Sequence, residues 1–165
     1  MSTPRTVTQA KRVRLAFIKC LYSTANRLMK QPEPLLNAGL LTFHDAVELF
    51  LQLACEHLDV DIGKGIVHFP QYWDFVNPKL KAVLPQREAM RKLNSARNTL
   101  KHSGNFVSRH TLEDLASSVE TFFEQATPLV FSLSFDSVSL IDLVTSESRI
   151  FCRGAQDSAT NIHLS

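Results

Sequence analysis

The fold is decided by the stretch "LEDLASSVETFFEQATPLVFSL", residues 112–133. Its apolar residues recur at alternating spacings of three and four, which places them along one side of an α-helix. Such a narrow seam is typical of helices that pack in a bundle. Pro128 is expected to kink this helix or to divide it in two. The seam consists of Leu112, Leu115, Val119, Phe122, Ala126, Leu129 and Leu133.

Two further long helices are predicted before this one. Residues 7–30 carry apolar residues at helical spacing, with a basic opposite side. A second helix is expected to start at Thr42, where Thr42 and Asp45 match a capping box, and to run to about Asp61. The predicted inner stripe of the first helix is Val13, Phe17, Leu21, Thr24 or Ala25, and Leu28, and that of the second is Phe43, Val47, Phe50, Ala54 and Leu58.

Between these and the seam helix lie an aromatic segment and a third long helix. The segment "VHFPQYWDFVNPKLKAVLP" contains three prolines, which predicts one or two short helical turns that pack Tyr72, Trp73 and Phe75 onto the bundle. The third helix is expected to begin near Pro85 or Gln86 and to end at Gly104, since glycine readily adopts the left-handed conformation.

The predicted fold class is therefore all-α, a four-helix bundle with short extra turns. The only hint of a strand is the short alternation in "VFSLSF". One helical domain is predicted for residues 1–145, in which the last residues form one or two short helices. Residues 146–165 are predicted to be a tail or a segment that docks on a partner.

The composition excludes several classes of protein. A net charge of +2 is too small to indicate a nucleic-acid partner by bulk electrostatics. The apolar runs are too short to predict a membrane span. The three cysteines form no C-x-x-C pair, so free thiols in a reducing cytoplasm are expected. The basic, acid-free start also fits a mitochondrial presequence, but the core-type stripe in the same segment favours a folded helix.

A polar cluster stands out in "KLNSARNTLKHSGNF", residues 92–106. A helix advances about 100° per residue, so with Ala96 at zero Asn98 lies at about 200° and His102 at about 240°. Both are directed away from the predicted core side, which is formed by Ala89, Leu93, Ala96 and Leu100. Arg97 lies on the flank, and Lys101 lies close to His102 in the last turn.

A solvated helix face is the alternative interpretation of this cluster. The negative end of a helix favours cations, which would explain Lys101 and His102 but not Asn98 beside Arg97. The other histidines give no metal-binding pattern. His57 is expected to be a packing residue, whereas His44, His68 and His110 are expected at the surface or in caps.

The stretch "RNTLKH", within "LNSARNTLKHSG", resembles the R-(N/D/H)-x-x-x-H signature of HEPN domains (higher eukaryotes and prokaryotes nucleotide-binding). The similarity extends over about residues 7–145 and includes "FPQYWDFVNPK". It implies an all-α bundle whose motif helices meet in a homodimer. It also implies a metal-independent ribonuclease without a cofactor, as found in bacterial toxin–antitoxin and antiphage defence systems.

The resemblance implies a role for each motif residue. His102 would be the general base or acid, because imidazole titrates nearest neutral pH. Arg97 would clamp the phosphate, Asn98 would orient the histidine or a phosphate oxygen, and Lys101 would add positive charge near the RNA. Asp45 and Glu48 are two acidic residues that could reach the motif helix from the second helix.

Two alternatives to the ribonuclease remain open at this point. One is a non-catalytic HEPN accessory or dimerisation module in a larger defence or nucleotidyltransferase-associated complex. The other is a purely structural bundle with an accidental motif. The expected partners are RNA, a second copy of the chain, and an antitoxin or larger defence protein.

Overall fold

The computed structural model describes residues 6–63, 65–141 and 143. Those residues form five α-helices, two 3-10 turns and no strand, so the all-α prediction is confirmed and the strand hint in "VFSLSF" was wrong. The helices are α1 (Gln9–Leu28), α2 (Leu35–His57), α3 (Tyr72–Val76), α4 (Arg87–Ser103) and α5 (Arg109–Phe131). Of these, α2 contacts each of the other long helices, α1, α4 and α5.

The seam helix, α5, follows the prediction except near Pro128. Its first five seam residues are buried, but at the end Val130 and Phe131 are buried while Leu129 is only half-buried. A kink or a division of the helix was expected at Pro128. The helix is not divided there, because α5 continues through Pro128 to Phe131. A proline removes only the hydrogen bond from its own nitrogen to the carbonyl four residues earlier, here that of Glu124, and the core packing of Val130 and Phe131 supports the turn that follows. Ser132 then closes the helix by donating its N–H to the Pro128 carbonyl at 3.0 Å.

In α1 the helix was predicted correctly, but its buried face only in part. Ala25 of the predicted stripe is buried, whereas Phe17 is 48% exposed and the buried positions near it are Leu15 and Ile18. The first half of the predicted stripe was therefore rotated away from the core face. Tyr22 lies on the same side of α1 as Leu15 and Ile18, and its ring packs on three phenylalanines of the core, so this side of the helix faces inward. These rings belong to Phe43, Phe123 and Phe135.

The predicted start of α2 was also wrong, because the helix begins at Leu35 and not at Thr42. The Thr42 hydroxyl donates to the Ala38 carbonyl at 3.0 Å within the helix and does not cap its end. The earlier turns are stabilised by packing on α1. A Cβ at Gly39 would lie 3.2 Å from the Ala25 carbonyl oxygen, so the two helices approach closely there. The predicted inner stripe of α2 is entirely buried.

The aromatic segment packs as predicted and is hydrogen-bonded to the residues just before α4. Tyr72 and Trp73 are buried and Phe75 is half-buried. The Trp73 indole donates to the Pro85 carbonyl at 3.2 Å. The Asn77 side-chain oxygen accepts the Leu84 N–H at 2.8 Å. Both bonds tie the segment to the residues just before α4.

Lys19 of α1 binds the chain that follows α5. The Lys19 ammonium donates to the carbonyls of Phe135, Asp136 and Val138 at 3.1, 2.8 and 3.0 Å. The predicted boundary at residue 145, the tail 146–165 and Cys152 lie outside the described residues.

By length and composition alone, α2 could cross a membrane. However, 61% of its most apolar window is buried inside the bundle, as in the core helix of a globular domain. One such helix is weak evidence for a membrane span.

Candidate functional site on the motif helix

The motif lies in the last turns of α4, which ends at Ser103 as predicted. Gly104 has φ 67°, and its N–H donates to the Leu100 carbonyl at 3.0 Å. Leu93 is buried and Ala96 is partly buried against the core, so the predicted core side is confirmed. Met90 is also buried and was missed by the sequence analysis.

The structure joins two of the four motif residues directly. Arg97 and Asn98 are half-buried, and the Arg97 guanidinium donates to the Asn98 side-chain oxygen at 3.0 Å. Lys101 and His102 are exposed, and neither has a side-chain hydrogen bond or ion pair to another described residue. The motif thus has a partly buried half that is held in place and an exposed half that is accessible to solvent.

His44 is the main residue that sequence reasoning placed wrongly. It was expected at the surface or in a cap near a helix start, but α2 begins earlier and His44 is 2% exposed. Its ring stacks on Phe69 with centroids 4.6 Å apart. Its Nε2 lies 2.9 Å from the side-chain oxygen of Asn94 on α4. An amide oxygen only accepts hydrogen bonds, so Nε2 carries the proton and donates.

The other ring nitrogen of His44 faces two carboxylates. Nδ1 lies 3.8 Å from Asp45 Oδ1 and 3.8 Å from Glu48 Oε2, which are beyond hydrogen-bond distance. Burial is the main cause that lowers the pKa of His44, and the positive charge of Arg97 also contributes. The Asn94 hydrogen bond and the two carboxylates act in the opposite direction. The net lowering favours neutral imidazole at pH 7.

The structure therefore brings a second polar group next to the motif. Asp45 and Glu48 face His44 on their own helix, and it is His44 that bonds to Asn94 on α4, so their link to the motif helix is indirect. The sequence contained a signal for Asn94, which stands three and four residues before Arg97 and Asn98 and so shares their side of the helix. His57 is buried against Phe131, so the prediction that it is a packing residue is confirmed.

No family model, curated protein or solved structure matches this chain. Its function must therefore be inferred from its own residues. On one side of α4 the chain presents a guanidinium and an amide that are bonded together, followed one turn later by an exposed ammonium and imidazole. These groups can bind a phosphate, neutralise its charge and transfer a proton.

Proposed function

We propose that the chain is a metal-independent endoribonuclease of the HEPN type, the effector of a bacterial toxin–antitoxin or antiphage defence system in the cytoplasm. The observation that carries this proposal is that the motif consists of a half-buried, hydrogen-bonded pair and an exposed pair. Arg97 and Asn98 are hydrogen-bonded to each other at 3.0 Å, while His102 is exposed on the same side of α4 without a partner among the described side chains. A substrate phosphate needs a positioned cation and an accessible proton donor or acceptor.

Cleavage of RNA without a metal requires three contributions from these residues. The 2′-hydroxyl attacks the adjacent phosphorus, and His102 removes its proton or protonates the departing 5′-oxygen. Arg97 stabilises the additional negative charge on the phosphate through its planar fork, and Lys101 adds positive charge nearby. Asn98 holds the Arg97 guanidinium, so its role in this proposal is to orient the phosphate clamp.

A homodimer completes the proposed site. One subunit contributes a single motif histidine, whereas transfer of protons to and from the two oxygens is served best by two groups. An isologous contact between two α4 helices would place His102 of each subunit in one cleft. The exposure of Lys101 and His102 leaves this side of α4 free for such a contact.

The first test is RNA cleavage in the presence of EDTA, with total tRNA and mRNA as substrates. Wild type should cut and leave 2′,3′-cyclic phosphate and 5′-hydroxyl ends. His102→Ala should lower the rate by about 10²–10⁴-fold, which is the usual contribution of a general acid or base. Arg97→Ala should also lower the rate strongly. His110→Ala is the matched control, since His110 is an exposed histidine on α5.

Two outcomes would overturn the proposal. A His102→Ala variant that cuts as fast as wild type would remove His102 from the mechanism. Intact RNA from a folded, dimeric wild type freed of any inhibitor would refute the nuclease and favour the accessory module. Because α4 would then serve assembly, Arg97→Ala and His102→Ala should weaken dimerisation or partner binding in that case.

A further inference from the structure

We propose that His44, Asp45 and Glu48 on α2, supported by Asn94 on α4, form a binding site for a divalent transition-metal ion of the zinc class. The site is distinct from the proposed ribonuclease residues, and its existence does not depend on that activity. Three possible ligand atoms, one from each α2 residue, lie within 4.8 Å of one another.

The observation that singles out this cluster is an unsatisfied nitrogen. The side chain of His44 is 3% exposed, and its Nδ1 is buried without a hydrogen-bond partner among the described residues. Leaving such a group unpaired destabilises the fold, because the lost hydrogen bond to water is not replaced. Most buried polar atoms are paired, so an unpaired one points to an ion or another ligand.

The hydrogen bond to Asn94 gives that nitrogen the form that a metal requires. Since His44 Nε2 donates to the Asn94 oxygen at 2.9 Å, the lone pair of the neutral ring is on Nδ1. Histidine ligands usually donate their second ring N–H to such a partner, which holds the tautomer and the ring orientation. Stacking on Phe69 at 4.6 Å holds the ring in the same position.

The two distances from His44 to the carboxylates suit a shared ion. Two ligand atoms that are each about 2.1 Å from one metal are at most about 4.2 Å apart. The separation of His44 Nδ1 from each carboxylate oxygen, 3.8 Å, is within that limit. Asp45 and Glu48 have side chains that are 59% and 33% exposed, so they can rotate to complete the coordination.

The charges also favour a cation. A nitrogen lone pair that faces two carboxylates is electrostatically unfavourable until a positive ion lies between them. Arg97 is the positive group whose charge acts on His44 from α4. The two carboxylates outweigh that single charge, so the cluster keeps a net negative charge. One imidazole and two carboxylates favour Zn²⁺ or Mn²⁺ over Mg²⁺ or Ca²⁺, which prefer oxygen ligands alone.

The test is calorimetric titration of chelator-treated full-length protein with Zn²⁺, repeated with Mg²⁺. Wild type should bind one Zn²⁺ per chain, with much weaker binding of Mg²⁺. Asp45→Asn and Glu48→Gln remove one ligand charge each, from an exposed and a half-buried side chain, and each should weaken Zn²⁺ binding at least about tenfold. Substituting Co²⁺ should give a visible absorption spectrum that both variants lose.

Asn94 provides a second readout, because it acts through His44. Asn94→Ala should weaken binding by about 10–100-fold, the usual effect of removing a partner behind a metal ligand. Asn94→Asp keeps the acceptor oxygen and should retain most of the affinity. The melting temperature without metal, measured for each variant, separates a loss of folding from a loss of binding.

The control is a histidine–carboxylate pair on the surface of α5, His110 and Asp114, whose Nδ1 and Oδ2 atoms are 3.2 Å apart. His110→Ala should leave Zn²⁺ binding unchanged. The proposal is overturned by three results: no saturable binding by wild type, binding that survives both Asp45→Asn and Glu48→Gln, or binding that disappears in His110→Ala. None of these results affects the ribonuclease proposal, because RNA cleavage is assayed with EDTA present.

Discussion

Replacing Lys19 by methionine should destabilise the fold measurably. The Lys19 ammonium donates to three backbone carbonyls, at 2.8–3.1 Å, in the segment that follows α5. It also lies 5.6 Å from the centroid of the Phe135 ring. Lys19→Met keeps an apolar chain of similar length, so the loss is confined to the charge and its hydrogen bonds.

The expected cost follows from those contacts. A hydrogen bond to a charged group contributes about 1.5–3 kcal/mol. The three bonds share one ammonium that must be partly desolvated, so their contributions do not add in full. We expect a loss of about 2–3 kcal/mol in the free energy of unfolding. For a chain of this size that corresponds to a decrease of roughly 4–12 °C in melting temperature.

The assay is urea unfolding followed by circular dichroism, with Lys11→Met as the control. Lys11 lies on the same helix, and its side chain has no hydrogen bond or ion pair among the described residues. A Lys19→Met variant within about 0.5 kcal/mol of wild type would refute the reasoning. So would an equal loss in Lys11→Met, because the effect would then come from charge on α1 in general.

Three further predictions concern the site and the core. Gly104→Ala should lower the free energy of urea unfolding by about 1–2 kcal/mol, because alanine is strained at φ 67°. It should also slow any RNA cleavage, because the last turn of α4 carries His102. Unchanged stability would contradict this prediction. Asn37→Ala should lower the free energy of unfolding by about 1–3 kcal/mol and loosen the loop after α4. The reason is that the Val107 N–H, which donates to the Asn37 side-chain oxygen at 2.8 Å, loses its acceptor. Slow hydrogen exchange at the Val107 amide in this variant would refute the prediction. Burial raises the pKa of the Cys55 thiol from 9.0 to about 11, so the folded state holds this proton more tightly than the unfolded state. Stability should be complete below pH 9 and fall as the pH rises toward 11, by up to about 3 kcal/mol. Cys55→Ala should show a smaller decrease over that range, and an unchanged pH profile would exclude the thiol as a cause.

The sequence by itself determined the features that depend on neighbours along the chain. The spacing of Leu112, Leu115 and Val119 was enough to identify α5 and its buried side, since a helix brings such residues together without help from the rest of the fold. Gly104 marked the end of α4 because its left-handed conformation is a local property of glycine. The outward position of His102 followed from the same helical geometry.

Only the tertiary structure decided which side of a helix is buried where the sequence allows more than one. In α1, apolar residues occur on more than one side, and contacts with distant rings select Ile18 over Phe17 for burial. His44 has charged neighbours in sequence, as a surface residue would, yet Phe69 and Asn94 cover it from other elements. These contacts join residues that are far apart in sequence, so they cannot be recognised from the spacing of apolar residues within one helix. For that reason the motif could be found from the sequence, whereas the burial of His44 and its bond to Asn94, which single out the proposed metal cluster, became visible only when α2 packed against α4.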